Sequence, residues 1–159
     1  MPKILDIIKH PNQILREVSV EIPETDFKKM EMRQLLLDME HTMKELDGAG
    51  LAAPQIGMNI RLVVIHDERT KKTMFMINPK ITKKSWGQEV DDEGCLSVLD
   101  DEGKIIYGPV SRHKKVSCVY FDKNGDKKKI QAEKLLARII QHEIDHLDGI
   151  LFIDRLVRK

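Results

Sequence analysis

Only two cysteines, Cys95 and Cys118, occur in 159 residues, too few to staple a secreted disulfide scaffold. Each thiol therefore needs its own explanation. An excess of charge of one sign is also missing, since 27 Lys and Arg stand against 26 Asp and Glu for a formal net charge of +1. That balance gives no reason to expect nucleic acid or an anionic membrane as the main partner. Long apolar runs are absent from the opening "MPKILDIIKHPNQILREVSVEIPE", where charges and prolines break every short cluster. Neither a signal-peptide core nor an Arg/Ser-rich transit segment is read there, and a cytoplasmic location is the expectation. Internal repeats, low-complexity tracts and interdomain linkers are not found. What remains is an ordinary globular composition, 41% hydrophobic and 33% charged. The length suits one hydrophobic core and is short for two, so residues 1–159 are expected to form a single domain. Function must then come from a site.

The first periodic segment is "TDFKKMEMRQLLLDMEHTMKELDG", with Thr25 or Asp26 placed to cap a helix and Gly48 placed to end it. Phe27, Met30, Leu35, Met39, Met43 and Leu46 recur at spacings near three and four, which predicts one buried face. Its methionines are read as core filling in preference to a promiscuous groove. Farther on, "NIRLVVIHD" and "TMFMINPKI" read as two antiparallel strands. Asn124-Gly125, between "KKVSCVYFDK" and "DKKKIQA", is the strongest hairpin signal. Lys127, Lys128 and Lys129 on its second arm are read as a solvated, aggregation-resistant edge. The last periodic segment, "QAEKLLARIIQHEIDHLDG", is ended by Gly149. Helix, strands and helix without regular alternation predict the α+β class.

Projected at about 100° per residue, Lys134, Arg138, Gln141 and Asp145 share one narrow sector of the last helix, read as its outward polar face. Asp145 is accordingly left out of any site. Leu135, Leu136, Ile139, Ile140, Ile144 and Leu147 spread over the rest. His142 and His146 continue the Leu135–Ile139 row, and Glu143 falls in the middle of the apolar arc. A carboxylate facing a core must find a partner, shift its pKa, or destabilise the fold by roughly several kcal/mol. The charged end of a surface helix does not explain Glu143. Histidines at i and i+4 point the same way and can hold one metal ion, with the glutamate beside the first taking a proton from water; that is the content of H-E-x-x-H. The competing explanation is a buried helix whose histidines are hydrogen-bonded. His10, His41, His66 and His113 lack such spacing and are read as surface or satisfied histidines.

Two histidines leave a divalent ion short of ligands, since catalytic sites usually take three from the protein. The stretch "DDEGCLS", Asp91 to Ser97, offers Cys95 in a polar turn after Gly94, which would permit an unusual backbone angle and close approach to an ion. A lone cysteine is otherwise a small buried residue, and Cys118, alternating with Val116 and Tyr120, fits that reading. A third stretch, "GAGLAAPQIG" from Gly48 to Gly57, has almost no side-chain bulk. It suits the approach of another backbone, as when an extended peptide adds to a strand edge, or else an ordinary turn. Gln55 is the one polar side chain in its middle, and its amide can donate a hydrogen bond.

"GAGLAAPQ" (48–55), "EGCLS" (93–97) and "QHEIDHLDG" (141–149), in this order and spacing, closely resemble the three signature motifs of the peptide deformylases. "ILDIIKHPNQILREVSVEI" and "GILFIDRL" also resemble that family, so the likeness covers nearly the whole chain. It implies an α+β fold with antiparallel sheets packed around a central C-terminal helix that carries the HEIDH motif, and one long N-terminal helix. It also implies an enzyme that removes the N-formyl group from the initiator methionine of newly made polypeptides and releases formate. Carried over by position, Cys95, His142 and His146 are the metal ligands and Glu143 the general acid/base. Gln55 and the backbone N–H of Leu96 are the oxyanion donors. Ala49, Gly50 and Gly94 align the peptide, and Arg138 and Ile139 partly line the methionine pocket, with Ile139 nearer the metal row. The implied cofactor is one divalent ion, Fe²⁺ in the cell, with Zn²⁺, Ni²⁺ or Co²⁺ accepted. A thiolate and two neutral imidazoles leave such an ion a net +1 shell, which lowers the pKa of bound water. The implied partners are N-formylmethionyl nascent polypeptides, with transient ribosome proximity and no specific nucleic-acid or membrane binding.

Two departures from the family's pattern stand out. Many relatives have proline soon after "EGCLS", whereas here the loop from Val98 to Pro109 differs in sequence. Many also continue into a further C-terminal helix where this sequence reads "RLVRK", so ribosome contact through such a helix is not carried over. The competing functions are a metal-dependent peptidase or other amidase, which would take a His or Glu third ligand, and a non-catalytic peptide-binding module. The module would have lost Glu143, Gln55 or a ligand, and none is lost.

Overall fold

The computed structural model describes residues 1–158. Its elements are helix α1 (Met30–Glu45), strands β1 (Gly50–Ala52), β2 (Leu62–Asp67), β3 (Lys72–Lys84), β4 (Gln88–Glu93), β5 (Gly108–His113), β6 (Lys115–Phe121) and β7 (Lys127–Glu133), and helix α2 (Lys134–Leu147). Short 3-10 turns connect them, among them Ala53–Ile56 after β1 and Phe152–Arg155 after α2. Five strands form one antiparallel sheet in the order β1-β2-β3-β6-β7, and β4 pairs with β5 in a separate hairpin.

Strand β2 shows how the layers are built. Leu62 and Val64 face the α1 side with Met32, Leu36, Met39 and Met43, while Val63 and Ile65 face the α2 side with Ala137, Ile140 and Ile144. All four are fully buried, so the run is apolar at every position, as a strand covered on both faces must be. Burying each such side chain contributes roughly 1.5–3 kcal/mol. The β4–β5 hairpin lies against the remaining side of α2 through Arg112 and Arg138. Helix α2 is therefore enclosed between two sheets, as the α+β expectation required.

Several local expectations are met. Strands β2 and β3 are antiparallel. The hairpin at Asn124-Gly125 forms with Gly125 at φ 81, and the Asp122 carboxylate accepts from the N–H of Asn124 and Asp126. Lys127, Lys128 and Lys129 are exposed on β7, at one edge of the sheet. Cys118 is buried on β6, and burial pushes its thiol up to about 11, the form of an inert core residue.

Four expectations are corrected. Helix α1 begins at Met30, not after Thr25 or Asp26, because residues 24–26 turn tightly and Phe27 packs on Phe121 with ring centroids 5.0 Å apart. Met30 and Leu46 are exposed, and Met32 and Leu36 take the inward positions. The sector Arg138, Gln141, Asp145 is not an outward face: all three are buried, and only Lys134 of that row is exposed. The hairpin β4–β5 covers it, so its charges meet protein instead of water. Leu135, expected inside, is exposed.

Gly149 ends α2 with φ +75, and a Cβ there would lie 2.4 Å from the backbone oxygen of Arg16. Gly103 has a similar φ of +80 with nothing within 4 Å. Gly149→Ala should therefore combine strain with a backbone collision and cost about 2 kcal/mol or more, lowering Tm by roughly 4–8 °C. Gly103→Ala should lower it clearly less, and equal shifts in thermal denaturation would refute the collision.

Candidate active site

Helix α2 presents His142 and His146 one turn apart, with ring centroids 5.0 Å from each other. The turn after β4 brings Cys95 beneath them, its Sγ 3.3 Å from His146 Nε2. One donor atom from each of Cys95, His142 and His146 lies within 4.8 Å of the others. Such convergence of sulfur and imidazole nitrogen is what one ion with bonds of about 2.0–2.3 Å needs.

The ring of His142 is fixed from behind. Its Nδ1 is 2.8 Å from Glu93 Oε1, and Phe152 stacks on it at 6.2 Å between centroids. A hydrogen bond of this kind sets the tautomer and leaves Nε2 free for a cation. Glu93 is buried, which by itself would raise its pKa. Hydrogen bonds from Arg112 and His142 outweigh that and hold the carboxyl well below the usual carboxylate range. Burial opposes a charge on His142 as well, yet Cys95, Glu93 and Glu143 together push it up to about 10. Surroundings that favour a proton at that ring favour a metal cation there too. His146 stays neutral, its pKa lowered by burial and then by His142 and Arg112, and a neutral ring is the form that binds metal. The donor set and its electrostatics therefore fit a divalent ion.

Glu143 is 4% exposed, and its Oε2 has no hydrogen-bond partner among the described residues. Burial pushes its carboxyl up to about 7, with Glu93 adding to the effect and His142 opposing it. Gly50 makes room for it, since a Cβ there would lie 2.8 Å from Glu143 Oε1. Opposite, the Gln55 side chain is held at both ends. Its Oε1 accepts from Ala52 N at 2.9 Å, and its Nε2 donates toward Ser97 Oγ at 3.1 Å and Cys95 Sγ at 3.4 Å.

A cavity of ≈ 260 Å³ joins these parts, and Ala49, Gly50, Gln55, Gly94, Leu96, Arg138 and Ile139 all line it with Cys95, His142 and Glu143. The structure thus brings together the residues that the three motifs single out. Exposed Leu135 and Tyr107 stand at its wall. Tyr107 and Ile105 press on Gly94, where a Cβ would meet them at 2.7 and 2.8 Å. The divergent loop thereby shapes the cavity.

Sequence reasoning missed Glu93 and Arg112. Glu93 stands in "DDEGCLS", two residues before Cys95, where its neighbours Asp91 and Asp92 are exposed and nothing distinguishes it. Arg112 becomes visible only when β5 pairs with β4. Asp145, set aside as outward-facing, accepts from Arg112 at 2.5 Å and from Arg155 at 2.6 Å.

A family model described as polypeptide deformylase matches residues 4–159. The chain belongs to the polypeptide deformylase family. A peptide deformylase of Dehalococcoides mccartyi (strain CBDB1) is 39% identical over 150 residues, covering 94% of this chain and 84% of that protein. The crystal structure of a peptide deformylase from Synechococcus elongatus in complex with actinonin is 38% identical, with a TM-score of 0.87, covering 98% of this chain and 80% of that one. A class I type b peptide deformylase of Acinetobacter baumannii, solved with Met-Ala-Ser bound, is 31% identical with a TM-score of 0.90, covering 98% and 100%. The reaction of the deformylase family is hydrolytic removal of the N-formyl group from the N-terminal formylmethionine of newly synthesised polypeptides, with release of formate.

A carboxyl whose pKa is raised by folding adds stability below its unfolded value, near 4.5, and loses it as pH rises through about 7. In metal-free protein, Glu143→Gln removes that loss. Its stability relative to wild type should improve by about 2 kcal/mol between pH 5 and pH 8 in urea denaturation. A difference that stays flat with pH would show that Glu143 is not a desolvated carboxyl.

Proposed function

We propose that residues 1–159 act as one catalytic domain in which Cys95, His142 and His146 hold a single divalent ion and Glu143 moves the proton during deformylation. The observation that carries this reading is the convergence of three donors, within 4.8 Å of one another, beside a buried carboxylate oxygen that has no partner among the described residues. A Cys third donor also separates it from the amidase alternative, which would use His or Glu.

The peptide is aligned by β1. Among the described residues that strand pairs only with β2, and His66 N donates to Ala49 O at 2.9 Å. By the alternation of antiparallel ladders, the N–H and C=O of Gly50 then point to the open edge. An extended nascent chain can add there as a strand, with its methionine side chain toward Ile139 and Leu135. Gly94 and the backbone near it face the same cavity.

When bound, a divalent ion supplies Lewis acidity toward a carbonyl oxygen and makes water a stronger acid. Glu143 takes the proton of the attacking water, whose oxygen adds to the formyl carbon. Charge that builds on the formyl oxygen is met by Gln55 Nε2 and the N–H of Leu96. Glu143 returns the proton to the departing amine as the carbon–nitrogen bond breaks, and formate leaves. No helix of the described residues is long and apolar enough to cross a membrane, and a cytoplasmic site close to emerging nascent chains goes with this substrate.

Protein loaded anaerobically with Fe²⁺ should release formate from formyl-Met-Ala-Ser, and metal-free protein should not. With stoichiometric metal, Glu143→Ala should lose nearly all turnover, while Gln55→Ala should lose about a hundredfold in kcat. Near-normal turnover by Glu143→Ala would sink the proposed base.

The ion in the cell is proposed to be Fe²⁺, although a Cys/His/His set accepts several ions and availability decides among them. Iron and its thiolate are both oxidisable. Activity of the iron-loaded protein should therefore decay faster in air than under argon, and equal half-lives would count against iron.

A further inference from the structure

We infer that Arg155 is a positioning residue for the metal ligand His142, acting through Asp145, Arg112 and Glu93. Arg155 stands in the 3-10 turn Phe152–Arg155 with its side chain 43% exposed. It grips Asp145 with two bonds, Nε to Oδ2 at 2.6 Å and Nη2 to Oδ1 at 3.0 Å. Asp145 Oδ2 also accepts from Arg112 Nη1 at 2.5 Å. The other face of that guanidinium meets Glu93, Nε to Oε2 and Nη2 to Oε1, both at 2.9 Å. Glu93 Oε1 then holds His142 Nδ1, and Arg138 Nη1 steadies Glu93 Oε2 at 2.6 Å.

The chain runs surface cation, buried anion, buried cation, buried anion, imidazole. Each link is a charge-assisted hydrogen bond, the strong kind, and the three middle members are enclosed, so water cannot replace a lost partner. Arg112 is divided between two carboxylates. Arg155 neutralises one of them from outside. Without it, Asp145 draws Arg112 toward itself, and Glu93 loses part of the grip that sets the ring of His142. Groups that orient a ligand in this way typically change metal affinity by about 10–100-fold when removed. Arg155 acts at two removes from Glu93, so its effect belongs at or below the low end.

The inference rests on reading His142 as a ligand, and the test separates the two. Co²⁺ is titrated anaerobically into metal-free wild type, Arg155→Met, Arg155→Lys and Arg16→Met. The Nδ1–H proton resonance of His142 is recorded in the same metal-free proteins. Arg16→Met is the control, because Arg16 pairs with Asp154 on the same turn without touching Asp145. Arg155→Met should raise the Co²⁺ Kd about threefold to tenfold and move the His142 resonance, with Arg155→Lys in between. Arg16→Met should lower Tm and leave both unchanged. The inference is overturned if Arg155→Met alters neither reading, or if Arg16→Met reproduces the change. Failure of wild type to take up Co²⁺ would refute the ligand reading alone, and the proton resonance would still decide the linkage.

Discussion

The carboxylate of Glu93 is the point on which the rest of the site depends. It is buried, and it accepts from two guanidinium groups and from the ring of His142. An isolated carboxylate in such a place would be neutralised or expelled. Two arginines make it a fixed anion, and a fixed anion sets which nitrogen of His142 carries the proton. The distance from the last residue of β4 to Cys95 is two positions along the chain, so the same short turn that supplies the thiolate also supplies the anchor for the opposing imidazole. First ligand and support are thus placed by one piece of backbone.

This arrangement explains why α2 carries charge on a face that is enclosed. A helix between two sheets could be apolar all round, and replacing buried ion pairs by well-packed hydrophobic groups is often neutral or stabilising. Here the enclosed charges are connected: Arg138 to Glu93 and backbone carbonyls, Asp145 to Arg112 and Arg155, Gln141 to the backbone of His113. They tie the β4–β5 hairpin to α2 in one register, because a shift of one residue would strand several charges at once. Their use is to fix where Cys95 lies relative to His142 and His146 more than to add stability.

Much of this was legible in the sequence, and the boundary is physical. The i, i+4 histidines, the misplaced Glu143, the bulk-free stretch around Gln55 and the cysteine after Gly94 each carry a local signal, and the structure collects them around one cavity. A helical wheel orders residues by direction but says nothing of what stands in that direction. Arg138, Gln141 and Asp145 share a polar sector whether water or the β4–β5 hairpin lies beyond it, and the wrong choice made Asp145 an outward residue. Glu93 and Arg112 meet only through strand pairing, so no window of sequence shows them as partners. The start of α1 misled for a related reason. Phe27 carries the right periodicity for a helical face, yet its contact with Phe121 is made from a turn.

The ligands come from two segments, with Cys95 and His146 standing 51 residues apart in the chain. His142 and His146 are set by local helix geometry once α2 packs on the five-stranded sheet, and this packing does not involve the thiol. Cys95 is placed by a different set of contacts, the pairing of β4 with β5 and the bonds from Arg112 to Glu93, 19 residues away. A divalent ion bonded to both segments would favour the state in which both are in place, so ion binding and folding of the site would be linked. Gly94 sits beside Cys95: Ile105 and Tyr107 from the divergent loop lie directly against it, so variation in that loop acts on the site through the position of the thiolate as well as through the shape of the cavity.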